Sequence, residues 1–363
     1  MLRQVIHRWE RKLSRRDNNR KVWPFDWGLE FLDQTWSASL KALSGPGREG
    51  HQPVRDFLFE FNKRAVAESD AFFRHEPVKG YSFDGEWLTF ESPLQTPYDE
   101  NNTVHARYFP VPDRSKNGGG NLRSDVERAR GRAVIVLPQW NADGDSHVAL
   151  CRLINRVGIA SLRLSMPYHD RRLLSGFTRA EYMVSANLGR TLQACRQAVM
   201  EVRSAIDWLM AQGYERIGIM GTSIGSCIGF LAFVHDERLR AGAFNHVSSY
   251  FGDVVWEGIS TAHVRQGLES GINREEARQA WMVISPNAYI NRMIGDRRRG
   301  LFISARYDLS FTPELSNLLF EECNRHGVRF DKALVPWGHY TTGEFPFKYY
   351  DGYLIVNYLR KHL

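Results

Sequence analysis

The chain has 363 residues, 43% hydrophobic and 25% charged, an ordinary globular mixture long enough for one large domain with insertions or two small ones. Its net charge of +7 is concentrated in residues 1–21, where Arg3, Arg8, Arg11, Lys12, Arg15, Arg16, Arg20 and Lys21 face only Glu10 and Asp17, so a chain-wide affinity for nucleic acid is excluded. Four scattered cysteines (Cys151, Cys195, Cys227, Cys323) form no C-x-x-C pair, which argues against a disulfide framework and for a reducing, cytoplasmic setting. No apolar run approaches the roughly 18 residues of a membrane span.

The N-terminus lacks the unbroken apolar core of a secretory signal. Leu2, Val5, Ile6, Trp9 and Leu13 recur at helical spacing, with basic residues on the other face. This predicts a helix packed on the body with a solvated basic face. Contact of residues 1–21 with an anionic membrane surface, or an organelle-targeting role, stays open, although Glu10 and Asp17 count against a transit peptide.

Residues 22–80 are aromatic-rich and read as mostly helical, clearest at 53–75, where Pro53 suits a first turn. Residues 1–83 are therefore expected to form a helical extension packed on the body. Alternation at 86–92 and 103–111 predicts half-exposed strands. The polar, glycine-rich stretch 112–132 reads as a long surface loop.

From Ala133 the rhythm changes. Continuous apolar strands are predicted at 133–138, 159–167, 216–220, 240–247, 301–305 and 330–336. Helices are predicted at 147–158, 188–213, 224–236, 313–327 and 345–362, several of them stopped by glycine. Strands without alternation, separated by helices, imply a mostly parallel sheet with helices on both faces. Such sheets bind ligands outside the carboxyl ends of their strands. Residues 168–187 and 248–299 interrupt the alternation at that edge and are expected to form cap or lid insertions.

One corner carries chemistry. In Gly221-Thr222-Ser223-Ile224-Gly225 a buried strand turns sharply into a buried helix, with Ser223 at the apex. Glycines two residues either side leave room for strand and helix, and the apex hydroxyl is held up at a helix amino end, where negative charge is favoured. The plainer reading is a turn serine that caps the helix. Here the sequence resembles the α/β-hydrolase superfamily of esterase- and lipase-like serine hydrolases, from about residue 84 to residue 363.

An acyl-transfer serine needs a base, and the base an orienting acid. The resemblance implies the order Ser, acid, His. Asp308 follows the 301–305 strand, and His339 lies in the loop after the 330–336 strand. Two backbone donors are needed for the oxyanion. The resemblance implies the N–H of Ile224 and, by position, that of Trp140. In that loop Pro138-Gln139 replaces the His-Gly the superfamily often carries, and Pro138 cannot donate.

Other residues compete for roles. His169 with Asp170 suggests a dyad, and Arg171 an anion contact, but residues 166–172 read better as a charged rim loop. Asp253 is a substitute triad acid. His246 reads as a hydrogen-bonded core residue, 296–300 as a solvated turn, and Trp256, Trp281 and Tyr289 either as lining of an acyl pocket or as ordinary packing. No metal-ligand spacing and no phosphate-binding glycine motif is present, so no cofactor is expected. The expected function is a serine hydrolase cleaving a small acyl ester or thioester through an acyl-enzyme on Ser223. The alternatives are an acyltransferase or amidase using the same triad, and a non-catalytic binding module.

Overall fold

The computed structural model describes residues 2–16, 19–33, 36, 51–112 and 122–363. Among them, nine strands form one sheet in the order β1-β2-β3-β5-β4-β6-β7-β8-β9. The first three, β1 (Tyr81–Phe83), β2 (Trp87–Glu91) and β3 (Thr103–Phe109), are antiparallel, and β3 pairs antiparallel with β5 (Ala160–Leu164). From β5 onward β4 (Arg132–Leu137), β6 (Arg216–Thr222), β7 (Leu239–Asn245), β8 (Arg299–Ala305) and β9 (Asp331–Val335) are all parallel.

The unbroken apolar runs are explained by burial on two sides. In β4, Ala133, Ile135 and Leu137 face one core, and Val134 and Val136 face the other. The first core packs against α6 (Leu188–Ala211) and α7 (Ile224–His235). The second packs against α5 (Val148–Arg156) and α12 (Phe347–His362). With every side chain covered, alternation between apolar and polar residues has no reason to exist.

The other helices are α1 (Leu2–Ser14), α2 (His51–Ala67), α3 (Ser69–Phe72), α4 (Leu122–Arg128), α8 (Phe251–Glu257), α9 (Ala262–Leu268), α10 (Arg274–Ala280) and α11 (Pro313–Arg325). α4 corrects the reading of 112–132 as one loop. Val126 and Ala129 add to the first core beside it, so a glycine-rich neighbourhood conceals a short helix. The rest of that stretch, 113–121, and most of 34–50 lie outside the described residues. The helix expected at 53–75 is two helices, α2 and α3, broken after Ala67. All four cysteines are free and buried.

α1 buries Ile6, Leu13 and also Glu10, while Leu2 and Val5 stay exposed. Beyond it the chain runs across the carboxyl edge of the sheet. Arg20 donates to the Ile259 carbonyl at 3.0 Å and to the Tyr340 hydroxyl at 2.8 Å. Asp26 bridges to Asn187 at the head of α6.

Candidate active site

Ser223 links β6 to α7 with φ 59° and ψ −123°, a conformation few non-glycine residues adopt. Sterics explain its neighbours. A Cβ on Gly221 would collide with the Gly225 carbonyl, and a Cβ on Gly225 would lie 2.5 Å from Leu137 O and 2.6 Å from Pro138 O. The corner closes only with glycine at both positions. The Ser223 N–H donates to Asn245 O at 2.8 Å, fixing the corner to the end of β7. The hydroxyl has no hydrogen-bond partner among the described residues, so the capping role of a plain turn serine is not what it performs.

Asp308, just past β8, is buried. Its Oδ1 accepts the backbone N–H groups of Ser310 and Phe311, both at 2.7 Å. Its Oδ2 meets two imidazoles: His339 Nδ1 at 3.1 Å and His246 Nδ1 at 2.7 Å. Burial opposes ionisation of Asp308, but the His339 charge and the hydrogen bonds of both histidines outweigh it and hold the carboxyl well below the usual carboxylate range. For His339, burial lowers the pKa, while the charge and hydrogen bond of Asp308, with Glu10 behind, carry it above the ordinary histidine value. His246 goes the other way: burial and then the neighbouring His339 charge push it down. One carboxylate thus favours the cation on His339 and leaves His246 neutral.

His246 was legible only as a core histidine; in the fold it is a second partner of Asp308. Its Nε2 lies 2.8 Å from the Thr342 hydroxyl, in the same loop as His339. His246, Asp308 and His339 form the cluster with spacing short enough for a metal among the described residues. Both Nδ1 atoms are engaged by Asp308 Oδ2, so the trio reads as a hydrogen-bonded unit.

Glu10 carries no signal of a role in the sequence. From α1 its carboxylate accepts the backbone N–H of Thr341 at 2.7 Å and of Tyr340 at 3.1 Å. A Cβ on Gly338 would lie 2.5 Å from Glu10 Cδ, so the contact needs that glycine. Burial raises the Glu10 pKa, two backbone donors lower it, the Asp308 charge raises it again, and the net direction is up.

The loop after β4 carries Trp140. Its indole N–H donates to Ala180 O at 2.8 Å, and the ring stacks on His263 at 5.6 Å. Asn141 N–H donates to His169 Nε2 at 2.9 Å, and the Asn141 side chain accepts from Ala180 N at 2.8 Å. No acceptor among the described residues takes the backbone N–H of Trp140 or of Ile224. His169 holds this loop: its Nδ1–H donates to Pro167 O at 2.7 Å, and burial pushes its pKa down to about 4. It stays neutral and can accept.

The rim-loop reading of 166–172 is therefore corrected. His169 and Arg172 are buried, and Arg172 makes a two-pronged pair with Glu201, both contacts at 2.7 Å. Asp170 pairs with buried Arg163 at 3.0 Å rather than forming a dyad, and Arg171 lies over the Trp87 ring at 3.7 Å. Asp253 is likewise engaged elsewhere, by Arg278 at 2.6 Å and Arg274 at 3.3 Å.

A narrow cavity of about 40 Å³ opens on Ser223, Ile224 and Trp140. Its walls are mainly apolar: Val184, Cys227, Phe251, Val254, Val255 and Phe311. Phe311 also stacks on His339 at 5.1 Å, linking the cavity to His339. The buried Ser248 hydroxyl lines the cavity and has no hydrogen-bond partner among the described residues, so a donor and acceptor are available to a ligand there. Trp256, Trp281 and Tyr289 are not among the lining residues; Trp281 and Tyr289 are buried packing.

Among solved structures the chain is similar to an acylaminoacyl peptidase of Pyrococcus horikoshii, at 12% identity over 80% of this chain and 50% of that one, with TM-score 0.55. It is similar to an acylaminoacyl peptidase in complex with Z-Gly-Gly-Phe-chloromethyl ketone, at 13% identity over 79% of this chain and 49% of that one, TM-score 0.53. A puromycin-hydrolyzing peptidase of Mycobacterium tuberculosis follows at 14% identity over 72% of this chain and 37% of that one, TM-score 0.53. The chain spans half or less of the length of these peptidases. No family model and no curated protein sequence matches it. The fold is the α/β-hydrolase fold.

Proposed function

We propose that this chain, built on the α/β-hydrolase fold, is a serine hydrolase that cleaves a carboxylic ester or thioester. The observation that carries the reading is the strained, unbonded Ser223 at the mouth of an apolar cavity, with the Asp308–His339 hydrogen bond at neighbouring strand ends. Ser223 Oγ attacks the acyl carbon and His339 Nε2 accepts its proton. Asp308 holds Nδ1–H and stabilises the imidazolium. The N–H groups of Ile224 and Trp140 receive the developing oxyanion. His339 then protonates the departing alkoxide or thiolate. Water attacks the acyl-enzyme with His339 as base, releasing the acid and restoring Ser223.

Amide cleavage and acyl transfer to another acceptor use the same residues, and the similar solved structures carry peptidase names, so a substrate screen includes acylated amines beside esters and thioesters. The first test is intact-mass labelling with a fluorophosphonate, wild type beside Ser223→Ala. The expected result is one adduct on wild type and none on the variant. Folded wild type that takes no adduct overturns the reading and favours a non-catalytic module.

A further inference from the structure

The helix α1 has three sides. Ile6, Glu10 and Leu13 face the protein. Arg8, Arg11, Lys12 and Arg15 are exposed, and none pairs with a described carboxylate. Between these sides run Leu2, Val5 and Trp9, spaced three and four residues apart on one edge. Leu2 is 57% exposed and Val5 55% exposed.

That edge continues onto the rest of the molecule. The Trp9 ring meets Phe347 at 6.1 Å, Phe347 stacks on Trp337 at 4.8 Å, Trp337 meets Tyr350 at 5.7 Å, and Tyr350 meets Tyr353 at 6.3 Å. Phe345 and Tyr349 add a second pair at 6.1 Å, with Phe345 74% and Tyr349 63% exposed. Lys348 lies over the Tyr349 ring at 5.5 Å. Glu344, the acid beside this stripe, is paired with Arg16 at 3.1 Å.

We propose that the α1 edge and the aromatic start of α12 form one docking surface for an anionic lipid bilayer. The chemistry matches the interface on both counts. Tyrosine and tryptophan place an apolar ring and a polar tip at headgroup depth, and unpaired cations attract anionic headgroups. The stripe covers buried Trp337, two residues before His339, and so lies over the segment that leads to the candidate active site. This surface stands independently of the catalytic reading.

The test is co-sedimentation of the full chain with vesicles of phosphatidylcholine alone and with about 30 mol% phosphatidylglycerol, at about 0.1 M and 0.5 M salt. Two variants change each chemistry separately: Arg8→Glu with Lys12→Glu, and Tyr349→Ser with Tyr353→Ser. Wild type is expected to sediment with anionic vesicles at low salt. The charge variant should lose at least about tenfold in binding and the tyrosine variant about fivefold. Ser223→Ala should bind like wild type, which separates this result from the fate of the catalytic reading. No sedimentation with anionic vesicles, binding that neither variant nor salt alters, or a concentration-dependent dimer that uses this face without vesicle binding would each overturn the proposal.

Discussion

Glu10 Oε1 accepts the backbone N–H of Thr341 at 2.7 Å, tying the first helix to the loop that carries His339. Glu10 also takes the N–H of half-buried Tyr340, so two backbone donors depend on one side chain. Removing it leaves the buried Thr341 donor unsatisfied, at about 1–3 kcal/mol, and frees the His339 loop to drift. Small displacements of a base cost rate more than binding. Glu10→Ala should lower kcat for a soluble ester by at least about tenfold with KM little changed, and lower Tm by several degrees. Steady-state kinetics and thermal unfolding check this. An unchanged kcat would mean that Glu10 serves stability alone.

The pH profile follows from the same cluster. General-base action needs neutral His339, and its pKa lies above the ordinary value of 6.5. Activity should therefore be lost on acidification through a limb placed above that value. Glu10 contributes to the upward shift through its charge, so Glu10→Gln should move the limb to lower pH. Asp308→Asn removes the larger contribution, moves the limb further down, and should cost about 10⁴ in kcat by presenting the wrong tautomer. A wild-type limb at or below the ordinary histidine value would contradict the geometry around Asp308.

What could be read from sequence divides along contact range. Strands β4 to β8 declared themselves because burial on both faces leaves continuous apolar runs. Ser223 declared itself because two glycines and a serine at one corner satisfy a local steric demand. Asp308 and His339 could be nominated because each follows a strand end. Glu10 and His246 could not be assigned roles. Their partners lie 331 and 62 residues away, and nothing beside them in sequence signals the pairing. Arg172 and His169 misled for a related reason: a charged stretch looks solvated until the fold supplies Glu201 and the Asn141 N–H as partners. Strand β1 spans only Tyr81–Phe83, too short for any periodicity to register.

His246 yields a prediction with a direction. It donates to the oxygen of Asp308 that also receives His339, which spreads the carboxylate charge over two donors. Its φ of 57° is tolerated by asparagine better than by most residues. His246→Ala should lower kcat by about tenfold and raise the acid limb, because a less satisfied Asp308 holds the His339 cation more tightly. His246→Asn keeps a short N–H donor and should recover part of both effects. A purely structural role would change Tm and leave the limb where it was.

Behind the Ser223 corner lies a carboxyl that titrates near neutrality. Asn245, whose carbonyl accepts the Ser223 N–H, donates its side-chain N–H to Asp351 Oδ2 at 2.8 Å. Burial pushes the Asp351 pKa up to about 7, and this single hydrogen bond offsets only part of that. Asp351 Oδ1 and Asn245 Oδ1 are both buried without partners among the described residues, which suits a protonated acid. In the unfolded chain the same group titrates near about 3.9. Between these values the native state keeps a proton that the unfolded state has released. Stability from this group is therefore fully present below the lower value and is lost as pH rises through the upper one. Asp351→Asn keeps the shape and removes the titration. Relative to the variant, wild type should lose a few kcal/mol of stability as pH rises from about 5 to 8.5, at about 1.4 kcal/mol for each pH unit over which Asp351 differs by one proton between the two states. Other groups, such as His169 with its lowered pKa, titrate in both proteins alike, so the difference between the curves isolates Asp351, and the variant should be the more stable of the two at the alkaline end. Thermal unfolding across that range decides it, and parallel curves for the two proteins would show that Asp351 is ionised in the fold at neutral pH.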